Sequence, residues 1–432
     1  MSTASPTPAS PSAESGVPAT PAGKQLAWLL DASRALPIDP ATVKGHFDAA
    51  FLAQVRPTKI NQILTAVTPP GGLEVTSIVP GSRPSHLVAV VESGEGKLQL
   101  SLATQPEGKI EGLLITPAST PNPARTSWSE LDERLTAVAP KVGMVIAEVG
   151  AYGACTTIHA VHATRAAPLA SMFKLYVLGA VAQQIESGTL RWNQQLTITS
   201  QIKSLPTGVL QNRPDGSTVT VQDAATKMVS ISDNTAADLL AATVGRGAIE
   251  SMQHTLGSAN SARNVPFLRT RELSILKGTD YPKYRNAYLA LSPTARLAYL
   301  NHTIDRIPLN TVNSWQQPRD ITTLEWYASP QDVCRALAGL DQMARTPALN
   351  PLTAIMSAND GGLHLNTRDW SGMWFKAGSE PGVLTLGWLA RSTTGRTYAT
   401  VLMTANPDKP LNEATAPELL ALARGAFSLA TG

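Results

Sequence analysis

Ser171-Met172-Phe173-Lys174 sets a hydroxyl and an amine three residues apart. On a helix, positions i and i+3 share a face, so a deprotonated lysine amine there reaches the serine hydroxyl, accepts its proton and leaves an oxygen able to attack a carbonyl carbon. Alone, such a pair is common in chains of this length and signifies little. Two further motifs follow it. Ser232-Asp233-Asn234 ends a helical stretch over 224–231; its hydroxyl can relay a proton to a leaving group and its asparagine amide can hold a substrate carbonyl, while the bland reading is a helix cap or turn. Lys376-Ala377-Gly378-Ser379, introduced by Phe375 and followed by Glu380, combines a cation for a substrate carboxylate with small residues against which a substrate backbone can lie. The backbone N–H groups of Ser171 and Ser379 would complete an oxyanion hole.

Those residues need elements to hold them. The chain has 432 residues, 43% hydrophobic, 16% charged and 5% aromatic, with 31 Gly and 32 Pro. The length suits two domains, each large enough for its own core. A formal net charge of +3 provides no basic field for nucleic acid. No apolar run reaches the ~20 residues that span a bilayer; the most apolar helical stretch, 175–182, stops at Gln183, Gln184 and Glu186. Residues 1–23 are almost entirely Ser, Thr, Pro and Ala with one charge, Glu14, and read as a disordered leader. Such a leader resembles the tether of an exported bacterial protein, with a solvated cytoplasmic tail as the alternative.

Residues 24–117 read as an α+β module. Three short helices, spaced by Leu26, Leu29, Leu30, Phe47, Phe51, Ile60, Ile63, Leu64 and Val67, precede strands at 73–79, 87–91, 98–103 and 110–115. A proline-rich linker, 118–125, separates it from a domain over 126–432. That domain opens with a helix carrying Trp128, Leu131, Leu135 and Val138, capped by Ser127 or Ser129. Strands are expected at 142–149 and 155–161, a helix near Ser171, a hairpin over 383–391 and 396–403, and a closing helix over 416–428. This pattern implies one sheet assembled from both ends of the domain. Cys155 and Cys334 have no metal spacing and read as two separate buried thiols, with a bridge as the alternative. His159 and His162 share no strand face, and no metal site is expected.

In their order, the three motifs resemble those of the penicillin-recognising serine hydrolases, the class A β-lactamases and penicillin-binding proteins, which carry Ser-x-x-Lys, Ser-Asp-Asn and Lys-Thr-Gly. A narrower resemblance, to the β-lactamase-like protein of clavulanic acid biosynthesis clusters and its exported actinobacterial relatives, is carried by Ser204-Leu205-Pro206-Thr207-Gly208, Arg213-Pro214-Asp215-Gly216, Ser232-Asp233-Asn234-Thr235 and Phe375-Lys376-Ala377-Gly378-Ser379. It implies a small ketosteroid-isomerase-like α+β domain followed by a β-lactamase/transpeptidase-like domain, an antiparallel sheet packed with helices plus an all-helical part.

The resemblance also implies roles: Ser171 the nucleophile, Lys174 its base, Ser232 the proton shuttle, and Lys376 the partner of Ser232 and of a substrate carboxylate. Asn234, Gly378, Ser379 and Phe375 would contact substrate, with no metal or other cofactor. Two departures stand out. Ala377 replaces the motif's threonine, and residues 257–271, where class A β-lactamases bring a deacylating glutamate, contain no Asp or Glu. Glu272 is the first, and it reads as an acid in the first turn of a helix. Losing a positioned base slows acyl-enzyme hydrolysis by about 10²–10⁴-fold. The expected function is therefore a serine hydrolase acylated by an ester, amide or β-lactam with weak β-lactam turnover. The alternative is a penicillin-binding, D,D-peptidase or cell-wall peptide-sensing module. Between residues 273 and 374, Tyr281, Tyr284, Tyr288, Trp315, Trp326 and Tyr327 either line a cleft or pack helices, the latter favoured.

Overall fold

The computed structural model describes residues 17–80, 85–94, 96–105, 107–117 and 127–431. Residues 1–16 of the expected leader, the turn at 81–84 and the linker at 118–125 lie outside them. The chain divides into two compact units, Met1–Ser119 and Thr120–Gly432.

In the first unit, helices α1 (Pro21–Ala32), α2 (Pro40–His46), α3 (Ala49–Gln54) and α4 (Pro57–Val67) precede an antiparallel meander of β1 (Glu74–Pro80), β2 (His86–Ser93), β3 (Gly96–Thr104) and β4 (Ile110–Pro117). Helix α1 begins before Lys24, where the sequence suggested ordered structure starts, because Thr20 caps it by accepting from Gly23 N and Pro21 supplies a preset φ in the first turn. Four helices stand where three were expected, since the chain breaks at Phe47, which bridges to Ile110 of β4. Leu26, Leu29, Val43, Phe47, Ile60 and Leu64 pack against Leu87, Ala89, Val91, Leu100 and Leu102.

The second unit starts with α5 (Trp128–Val138), capped by Ser127, whose hydroxyl accepts from Glu130 N. It then lays down β5 (Lys141–Val149) and β6 (Cys155–Val161), and enters a helical middle. That middle holds α6 (Lys174–Glu186), α7 (Val221–Ser230), α8 (Asn234–Val244), α9 (Arg246–Thr255), α10 (Thr270–Gly278), α11 (Lys283–Leu289), α12 (Pro293–His302), α13 (Pro330–Met343) and α14 (Pro351–Met356). The chain returns through β7 (Trp370–Glu380), β8 (Val383–Ser392) and β9 (Thr397–Ala405) to α15 (Thr415–Thr431). The five strands form an antiparallel sheet in the order β7-β8-β9-β5-β6, built from both ends of the domain as its sequence implied.

Alternation along the strands sorts side chains into two cores. One face meets α13 and the turn that holds Met172 and Phe173, in a core that includes Trp374 and continues into α6 and α8. The other meets α5 and α15, including Phe375, Trp388 and Phe427. Helix α6 is buried almost all round, from Lys174 through Ala182, as suits a helix enclosed by others. Cys155 on β6 and Cys334 on α13 are joined in a disulfide. This corrects the reading of two separate thiols; α13 crosses the sheet and brings its buried Cys334 to the start of β6. Of the later aromatics, Tyr288, Trp326 and Tyr327 are buried, and Trp326 stacks on Phe173 with ring centroids 3.9 Å apart. They pack the interior, leaving Tyr281 partly exposed. Among the described residues no helix is long and apolar enough to cross a membrane.

Candidate active site

Ser171 sits in a single 3-10 turn, Ala170–Phe173, that feeds directly into α6. Lys174 therefore follows on the inner side of the helix, fully buried. Its Nζ lies 3.2 Å from Ser171 Oγ, 3.1 Å from Ser232 Oγ, and 2.6 Å from both Ser232 O and Asn234 Oδ1. A neutral amine has two N–H bonds and one lone pair. The two shortest contacts are to atoms that can only accept, so they take the two N–H bonds and leave the lone pair for the hydroxyls. Burial, with the charge of Lys376 adding to it, holds the Lys174 amine well below the usual lysine range, against the weaker pull of Asp233 and Asp238.

Ser232 is the middle of the three residues between α7 and α8, in left-handed backbone with φ 57°. That conformation is uncommon for serine and persists where the surroundings fix it. Here Lys174 Nζ and Thr207 Oγ1 both donate to Ser232 O, and Lys376 Nζ donates to Ser232 Oγ at 3.1 Å. Asp233 caps α8 by accepting from Ala236 N and also accepts from Val209 N and Leu210 N, tying the 204–210 segment down. Gly208 permits that approach: at φ +114°, a Cβ would fall 2.2 Å from the Asp233 carboxyl carbon. Asn234 donates to Leu205 O at 2.7 Å, so its amide orients Lys174.

Lys376 is buried on the same face of β7 as Trp374, and burial pushes its amine down to about 7. At Gly378, two residues on, a Cβ would lie 2.2 Å from Leu169 O and 2.8 Å from Ser171 N. Only glycine lets the strand come this close to the Ser171 turn. Thr385 Oγ1 donates to Leu169 O from the neighbouring strand. Ser379 is exposed on β7, an edge strand. Ser171, Lys174, Ser232, Asn234, Lys376 and Gly378 thus converge. Phe375, expected to contact substrate, has its ring against Trp388 in the opposite core, because residues one apart on a strand point to opposite faces.

The carboxyl groups divide differently. Glu272 forms the expected first-turn acid of α10 and is fully buried. Its carboxylate is bound by Arg246 at 2.7 Å and Arg269 at 3.1 Å. Asp238, raised to about 6 by burial, accepts from Thr270 N and Arg271 N and so fixes the start of the same helix. Glu380, at the end of β7, is drawn inward by Lys277 Nζ at 2.7 Å. Sequence reasoning missed Lys277 and Glu325; both are buried, and Glu325 accepts from Ala170 N at 3.0 Å. No local motif marks either, although a lysine within the apolar run of α10 was a usable signal. Among the described residues no carboxylate is hydrogen-bonded to the side chains of Ser171, Lys174 or Ser232. Nor do any three His, Cys, Asp or Glu residues there form a group suited to a metal ion.

A model of the Beta-lactamase enzyme family matches residues 128–423, and one described as the ORF 12 gene product N-terminal region matches residues 17–110. No curated protein sequence matches the chain. Among solved structures, the β-lactamase from Sphaerobacter thermophilus is similar at 20% identity and a TM-score of 0.50, over 70% of this chain and 96% of that one. That likeness identifies the fold of the second unit. PBP-A is 17% identical with a TM-score of 0.48, over 72% of this chain and 99% of its own. A β-lactamase from Chitinophaga pinensis is 18% identical with a TM-score of 0.47, over 70% and 98%.

Proposed function

The chain belongs to the Beta-lactamase enzyme family, and from that premise we propose that it is a serine hydrolase acylated at Ser171 by an ester, an amide or a β-lactam. The carrying observation is the buried Lys174 amine, 3.2 Å from Ser171 Oγ and 3.1 Å from Ser232 Oγ, with neutral partners around it. As the bond from Ser171 Oγ to the acyl carbon forms, the Lys174 lone pair takes the hydroxyl proton. The carbonyl oxygen becomes an oxyanion facing the N–H groups of Ser171 and Ser379. On collapse, the bond to the leaving nitrogen or oxygen breaks; Ser232 protonates it and recovers a proton from Lys174. Lys376 supports Ser232 and attracts a substrate carboxylate.

The acyl-enzyme formed by a β-lactam then hydrolyses slowly. Residues 257–271 carry no acid, and Glu272 is held by two arginines. The same observation favours a second reading, a penicillin-binding or cell-wall peptide-sensing module, or a D,D-peptidase. The match over residues 17–110 supports kinship with the β-lactamase-like proteins of clavulanic acid clusters, and the meander with helices supports a ketosteroid-isomerase-like first domain. The Cys155–Cys334 bridge supports export to an oxidising compartment.

The test is incubation with a chromogenic β-lactam and an activated ester, reading turnover and protein mass together. The wild type is expected to accumulate one acyl adduct with the β-lactam, and Ser171→Ala none. Turnover unchanged in Ser171→Ala would overturn the mechanism; rapid β-lactam turnover without adduct would overturn the slow-release part.

A further inference from the structure

A second buried charged cluster touches the nucleophile's turn, and the acylation steps do not use it. Its members come from three elements: Lys277 on α10, Glu325 before α13, and Glu380 at the end of β7. Lys277 and Glu325 are essentially inaccessible, and the Glu380 side chain is 10% exposed. Lys277 Nζ lies 2.7 and 2.9 Å from the two Glu380 carboxylate oxygens and 3.6 Å from Glu325 Oε1. Glu325 Oε2 accepts from the backbone N–H of Ala170 and of Trp326, both at 3.0 Å. Ala170 immediately precedes Ser171 and is held in left-handed backbone at φ 44°. Glu380 immediately follows Ser379. One cluster is therefore attached to both chain segments that carry the proposed oxyanion-hole donors.

We propose that Glu325 is a positioning residue for the oxyanion hole: it anchors the Ala170 N–H and, through Lys277 and Glu380, sets the Ser171 turn against β7. This rests on the reading of Ser171 as the acylated residue. A left-handed alanine is strained and holds only if something fixes it; the Glu325 acceptor and the close approach of Gly378 do so.

Glu325 acts here as the carboxylic acid. Burial, with the Glu380 charge adding to it, raises it well above the usual carboxylate range. Its carbonyl oxygen then accepts from Ala170 while its hydroxyl donates towards Glu380. The other groups facing it are Lys277 and Tyr327, which has Arg263 over its ring and also feels the charge of Asp320; Arg319 donates to Lys277 O.

Glutamine reproduces both hydrogen bonds and alanine neither. Glu325→Ala is expected to lower the rate constant for β-lactam acylation by about tenfold or more, with substrate KM little changed, and Glu325→Gln to stay near wild type. Amide exchange at Ala170 reads the anchor without any chemistry: slow in wild type and Glu325→Gln, fast in Glu325→Ala. Wild-type acylation or unchanged exchange in folded Glu325→Ala overturns the proposal. A wild type that is never acylated overturns the Ser171 reading, while exchange still decides the anchor. If Glu325→Ala does not fold, exchange in the wild type decides: an Ala170 amide that exchanges as fast as an unprotected one overturns the proposal.

Discussion

Lys174 and Lys277 are both fully buried, and both reach the Ser171 turn, one directly and the other through Glu325. Their partners differ in kind. Lys277 meets two carboxyl groups, whereas Lys174 is hydrogen-bonded only to two hydroxyls, a backbone carbonyl and a side-chain amide. A carboxylate next to an amine favours its charged form; neutral dipoles in a water-free site compensate burial less well and favour the free base. The same residue type thus suits a strut in one place and, in the proposed mechanism, a base in the other. What decides is the partner set, to which sequence spacing is only a partial guide.

The comparison breaks most directly if Lys174 is given the partner it lacks. Asn234→Asp puts a carboxylate at the atom now 2.6 Å from its Nζ. An opposite charge at that range raises an amine by about 1–3 pH units. The acidic limb of the acylation rate should move up by that amount, with a loss of about 10–10³-fold on its low-pH side. Asn234→Leu, which removes the hydrogen bonds without adding charge, should not move the limb upward. Acylation rates against pH for the three proteins check this; an unmoved limb in Asn234→Asp would make Lys174 a strut as well.

How far these two environments were legible in the sequence follows from distance along the chain. Ser171 and Lys174 share one turn, Ser232 and Asn234 flank one helix start, and Lys376 and Gly378 share one strand, so local motifs express each pair. The α+β meander and the hairpin β8–β9 were legible through period-two patterning and turn residues, with boundaries off by a few residues. Glu325 and Ala170 are 155 residues apart, Lys277 and Glu380 are 103 apart, and the bridged cysteines 179. No local pattern encodes such meetings; they exist only once α10, α13 and β7 have packed. Phe375 failed for a subtler reason: adjacent to Lys376 in sequence, it lies on the other face of the strand.

A smaller effect on the same comparison comes from Lys376, whose charge is a secondary cause of the depressed Lys174 amine. Lys376→Met should leave the Lys174 limb higher than in wild type, because removing that positive charge lets the amine hold its proton to higher pH. It also tests stability. With the native amine at about 7 against an ordinary 10.5, the unfolded chain binds the proton that the native chain has released between those values. Stability of the wild type should therefore rise with pH across that window, the burial cost being full below it and relieved above. Lys376→Met loses that contribution, and the difference between denaturant curves from pH 7 to 10 measures it. A constant difference would mean that Lys376 is not held down by burial.

The smallest catalytic effect should come from a carboxylate already committed to guanidinium groups. Glu272 immediately follows the stretch in which a deacylating acid was sought, yet Arg246 and Arg269 hold its oxygens and Arg269 N donates to it as well. Breaking a buried ion pair costs about 3–5 kcal/mol because it leaves the partner charge uncompensated. Asp305, also paired with Arg269, and the 18% exposure of the Arg246 side chain soften that cost here. Glu272→Gln should therefore lower the unfolding free energy measurably while leaving acylation and release of a β-lactam adduct near wild type. If release instead slowed by the 10²-fold or more that a lost general base entails, Glu272 would be acting on water. The contrast between engaged and available groups would then fail for carboxylates, though it held for the two lysines.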